Sequence, residues 1–97
     1  MTTKKPQPPF VIDMRHDQLA EPTYGVATSW EGAITLAVEF WESYDGTYDP
    51  KTKEWYVGEG YSEELDVTVK KGVYFRLMHA GGEGPHITIR RASNVVL

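Results

Sequence analysis

The chain has 97 residues with a formal net charge of −4, 40% hydrophobic and 25% charged side chains, and no cysteine. A domain of that size buries roughly 60–65% of the surface its unfolded form exposes, enough for one modest core. The composition excludes a disulfide scaffold and thiolate chemistry, no apolar run approaches the ~20 residues of a spanning helix, and the negative charge argues against nucleic acid as the main partner.

Residues 1–9 join Thr, Lys and Gln to three prolines, which predicts a flexible Pro-rich arm ahead of a single domain over residues 10–97. No apolar stretch follows Lys4 and Lys5, so neither a secretion signal nor a membrane segment is expected, and the protein is placed in the cytoplasm or within a larger assembly. Phe10, Ile12 and Met14 alternate with Val11, Asp13 and Arg15, the signature of a half-buried strand ending near His16 and Asp17. Thr23 to Trp30 is a second strand candidate. Gly25 inside it suggests a bulge or a close backbone approach.

Residues 30–44 fit two templates. A helix would start with Thr28 and Glu31 as a capping box, run a stripe through Ile34, Ala37, Val38 and Trp41, and stop at Gly46. A strand would alternate Ile34, Leu36, Val38 and Phe40 against Ala33, Thr35, Ala37, Glu39 and Trp41. The density of β-branched and aromatic residues favours the strand, as does Gly32 near the helix start.

Thr47 to Val57 reads as a hairpin whose type I turn begins with Asp49 and Pro50. The clearest stretch is Leu65–His79. Leu65, Val67 and Val69, then Val73, Phe75 and Leu77, alternate around Lys70-Lys71-Gly72, and pairing Val69 with Val73 leaves a three-residue loop ending in Gly. After the glycine loop Gly81–Pro85, Ile87 and Ile89 mark another strand, and the tail Ser93–Leu97 is expected to dock as a last edge strand. Seven or eight short strands at this spacing predict an all-β antiparallel sandwich or small barrel; the alternative is an α+β fold with one helix at residues 30–44.

Charge divides along the chain: residues 1–41 carry three bases and five acids (−2), residues 42–66 two and eight (−6), residues 67–97 five and one (+4). Complementary ends of this kind steer association between copies. For a metal site, His79, Glu83 and His86 have suitable chemistry, but strand parity sends the two histidines to opposite faces. Asp45, Asp49, Glu54 and Glu59 offer oxygen ligands without the alternating acids of a calcium loop. Gly81-Gly-Glu-Gly lacks the following helix of a phosphate loop, and Ser62 lies in no nucleophile elbow. No catalytic residue, cofactor or metal is therefore assigned.

The remaining signal is aromatic. Trp41, Tyr44, Tyr48, Trp55, Tyr56 and Tyr61 crowd around one acidic hairpin. Such rings anchor protein interfaces, and exposed coplanar ones stack on sugars. The reading is a non-enzymatic binding or assembly module, a structural subunit or small inhibitor, whose partner is another protein or copies of itself. A carbohydrate-binding module is the alternative, and a small metal-dependent enzyme is a second one.

Overall fold

The computed structural model describes residues 8–16, 20–57, 65–79 and 85–92. Among these, seven strands form two antiparallel sheets and one helix packs beside them. The strands are β1 (Phe10–Arg15), β2 (Thr23–Ala27), β3 (Gly46–Asp49), β4 (Glu54–Val57), β5 (Leu65–Lys70), β6 (Tyr74–His79) and β7 (His86–Arg91), with α1 at Trp30–Ser43 between β2 and β3. The large sheet has the order β2-β1-β7-β6-β5, and β3 and β4 make a separate two-stranded ribbon. This is the mostly sheet, antiparallel domain expected, in its α+β form.

The strand preferred for residues 30–44 is therefore corrected to a helix. Ser29, not Thr28, is the cap: its backbone is extended and its hydroxyl accepts a hydrogen bond from the Gly32 N–H at 3.0 Å. That bond satisfies one of the orphan amides of the first turn. The period-2 pattern of Ile34, Leu36, Val38 and Phe40 misleads because these residues flank the buried stripe, while the fully buried residues, Ala33, Ala37 and Trp41, follow the helical spacing of four. Two alanines on that stripe let the helix lie close to the sheet. Gly25 lies beneath the helix, where a Cβ would meet Leu36 Cδ1 at 3.1 Å. Of the two roles open to Gly25, close approach is the one found, since β1 and β2 pair in unbroken register across it.

The helix ends as Asp45 takes the left-handed conformation, φ 65°. Gly46, expected as the stop, serves another purpose. A Cβ there would lie 2.3 Å from Nε1 of Trp41, so glycine leaves room for the indole. That indole then donates to the carbonyls of Thr47 (3.2 Å) and Tyr56 (2.9 Å), which lie on opposite strands of the ribbon. Trp41 thus pins the ribbon to the helix.

The meander is present with one change of register. Val69 opposes Phe75 and Lys70 opposes Tyr74, so the loop is Lys71-Gly72-Val73, closed by a bond from Val73 N–H to Lys70 O at 2.8 Å. Gly72 has φ +76° at the third turn position, the place where a type II turn requires it. Val73 consequently sits in the turn instead of the strand. In the other hairpin Asp49 behaves as expected, its carboxylate accepting from Lys51 N–H at 2.9 Å.

One face of the large sheet carries the core: Phe10, Ile12 and Met14 of β1, Phe75 and Leu77 of β6, and Ile87 and Ile89 of β7, all buried. The layer over it is the helix plus the ribbon, in place of a second full sheet. The end of the proline segment is tied down, since Pro8 and Pro9 carbonyls accept from Arg91 Nη1 (3.0 Å) and Ala92 N–H (2.9 Å). The rest of the arm, the glycine loop up to residue 84 and the apolar tail lie outside the described residues. No helix among them is long and apolar enough to cross a membrane.

Candidate functional site

Three elements leave a cleft of about 300 Å³ where they fail to close over the sheet. The first turns of α1 supply Trp30 and Ile34, the ribbon supplies Tyr48 and Trp55, and the sheet supplies Val69 and Phe75 as the floor. Each pair is set by local structure. Trp30 and Ile34 are four apart on one helix face. Tyr48 and Trp55 are opposed across the ribbon with ring centroids 4.4 Å apart, and Val69 and Phe75 are opposed across β5 and β6. Trp55 also reaches down to Phe75, centroid to centroid 5.2 Å, so ribbon and sheet share one cluster of tilted aromatic rings.

The charged residues of the lining are all solvent-exposed. Glu31 comes from the first helical turn, Lys53 from the ribbon turn and Lys71 from the β5–β6 turn. Lys53 is held there by a left-handed backbone, φ 61°, with its N–H bonded to Asp49 O at 2.7 Å. Burial, with a smaller contribution from neighbouring Asp49, raises the pKa of the Tyr48 phenol above its ordinary value. The volume and the apolar lining with few polar groups are those of a small binding site.

Beyond the cleft the apolar face continues uncovered to the edge of the sheet. Val67 is 39% exposed, Val69 53% and Val73 60%, although Val67 and Val69 point to the same side as buried Leu77 and Phe75. Here the alternation of β5 prepares an interior face that the helix and the ribbon cover only in part.

The six aromatics singled out by sequence separate. Tyr48 and Trp55 line the cleft. Trp41 is 2% exposed and Trp55 5%, so neither indole presents a flat open face; Trp41 packs edge-on to Trp55 at 6.3 Å within the core. Tyr44 caps the far end of the helix, stacked on His16 at 4.0 Å and 15°. Tyr56 donates its hydroxyl to the Glu54 carboxylate, and that bond foremost raises its pKa. Tyr61 lies outside the described residues. Sequence reasoning misses Trp30, Ile34, Val69 and Phe75 as site residues. Trp30 reads in sequence as a strand end, and the alternation that sets the direction of Val69 is visible there but reads as part of the core face.

His79 and His86 do fall on opposite faces, since His79 is opposed to Leu65 on the core side and His86 to Met78 on the other. Among the described residues no three His, Asp or Glu side chains are grouped to hold a metal; Glu59 and Glu83 lie outside them. Comparison with protein-family models, with curated proteins and with solved structures finds no match to this chain.

Proposed function

We propose that the protein is a non-enzymatic binding or assembly module that works through protein–protein contact, using the cleft and the valine strip beside it. One observation carries this reading: on the core-side face of β5, beside the cleft, Val67 and Val69 are left exposed in the isolated chain, and Val73 of the adjoining turn is exposed as well. Contiguous exposed apolar surface rimmed by charge is characteristic of contact sites, whereas scattered single residues are not. The lining, apolar apart from Glu31, Lys53, Lys71 and the Tyr48 hydroxyl, suits an apolar partner segment.

The test is a photoreactive amino acid placed at Val69 and, as a control, at exposed Glu39 on the outer side of the helix. A protein adduct of defined mass at Val69, not at Glu39, and weakened by Val67→Asp, is the expected result. Identical adducts at both positions, or none at Val69, would overturn the proposal.

A glycan remains the second reading, favoured by the rings of Trp30 and Tyr48 in a cleft with a polar rim. It requires a change in tryptophan fluorescence on adding an oligosaccharide, abolished in Tyr48→Ala. A silent response across a broad glycan panel counts against it.

A further inference from the structure

We infer that the partner is a second copy of this chain, joined edge to edge through β5 into one continuous antiparallel sheet. The inference rests on the protein-contact reading above and names its partner. β5 is the last strand of the large sheet, and no described strand pairs with its outer side. Unpaired edges are templates for another strand, and proteins usually blunt them with prolines, bulges or covering segments. β5 runs Leu65-Asp-Val-Thr-Val-Lys70 in unbroken register with β6, without a proline or a bulge.

The sequence of β5 is complementary to itself in one register. A twofold axis through Thr68, perpendicular to the sheet, sets Thr68 against Thr68 of the second copy. Val67 then faces Val69 and Asp66 faces Lys70, and the symmetry makes each contact twice. Opposed residues keep the same side of the sheet, so the two core faces continue into each other. The half-exposed valines of both copies become one apolar row running from one cleft to the other. On the opposite side the exposed Asp66 and Lys70 form two cross-strand ion pairs, and opposite charges and paired threonines are favourable cross-strand neighbours. Among the described residues Asp66 holds a long, exposed contact to Arg76 at 3.4 Å, which leaves its carboxylate able to take a second cation. The other edge, β2, spans Thr23–Ala27 without a charged residue and so has nothing comparable to specify a register.

The charges provide the test. In Asp66→Lys, lysine meets lysine at both symmetric positions; in Lys70→Asp, aspartate meets aspartate. Each variant alone should lose dimer affinity by at least about tenfold, while an equal mixture should recover it as a heterodimer. There the lysine introduced in one variant meets the aspartate introduced in the other, and the native Lys70 of the first meets the native Asp66 of the second. Light scattering after size exclusion, over a range of concentrations and on the full chain, reads all three. Independently, Thr68→Cys introduces the chain's one thiol on the twofold axis and should oxidise to a covalent dimer, because directly opposed strand residues lie within disulfide reach. Val26→Cys on β2 should not.

A monomer at all concentrations, a dimer indifferent to both charge reversals, folded single variants that fail to recover on mixing, or cross-linking at Val26→Cys as fast as at Thr68→Cys would each overturn the inference. Should the charge variants fail to fold, the two cysteine variants decide it. A monomer that still yields a foreign-protein adduct at Val69 overturns the dimer alone. A monomer without an adduct overturns the contact reading as well.

Discussion

The β1–β7 part of the sheet and its β5 edge carry the same period-2 alternation of apolar side chains, yet one is interior and the other surface. Phe10, Ile12, Met14, Ile87 and Ile89 are buried, whereas Val67 and Val69 stay substantially exposed. The difference lies in the cover. The helix brings Ala33, Ala37 and Trp41 down beside β1 and β2, and the ribbon, held by the Trp41 indole, reaches β5 only in part: Leu65 packs against the core while Val67 and Val69 stay open. Alternation decides which way a side chain points; a second layer decides whether that side is dry.

The largest expected break in this comparison is Trp41→Ala. It empties a fully buried site and releases both ribbon carbonyls, and a loss of about 3–5 kcal/mol in denaturant unfolding is expected. A loss under about 1 kcal/mol would show that the ribbon is held by other means. Next is Gly46→Ala, where the added methyl must displace the indole from 2.3 Å. Overpacking of this kind costs about 1–3 kcal/mol, and Trp41 fluorescence should shift with it.

Ser29→Ala removes the helix cap and should cost about 1 kcal/mol, while Ser29→Asp should restore most of it. On the uncovered side, Val69→Thr should change monomer stability by no more than about 0.5 kcal/mol, as expected of a surface strand position. If the same substitution weakens association while leaving monomer unfolding unchanged, the contrast between the two regions becomes one between folding and binding. The smallest effect is the alkaline one. Burial raises the Tyr48 pKa in the folded state, so its contribution to stability is fully present below the unfolded tyrosine value of 10.0 and is lost as pH rises through the folded value. Tyr48→Phe should flatten that alkaline decline, and an unchanged slope would assign it to other groups.

How much can be read in advance follows from the range of each interaction. The β5–β6 hairpin, the Asp49 turn and the apolar parity of β1, β6 and β7 are local or nearest-neighbour features, and all are found, with the hairpin shifted by one pair because Gly72 takes the third turn position. The capping pattern points one residue early, to Thr28 instead of Ser29. The helix itself is misread because its apolar residues also satisfy a strand pattern, and only packing against Gly25 and the sheet separates the two. The site is half legible. Tyr48 and Trp55 belong to the aromatic group visible in the sequence, but Trp30, Val69 and Phe75 join them from elements remote in sequence.

Sequence alone determined that this is a small antiparallel domain with one apolar sheet face, because side-chain period and turn chemistry act over a few residues. Tertiary structure decided that residues 30–43 form a helix, that Trp41 serves as a clamp instead of a contact, and that the apolar face runs out only partly covered at β5. Those outcomes depend on which elements come to lie over the sheet, and that is settled by long-range packing rather than by any local pattern.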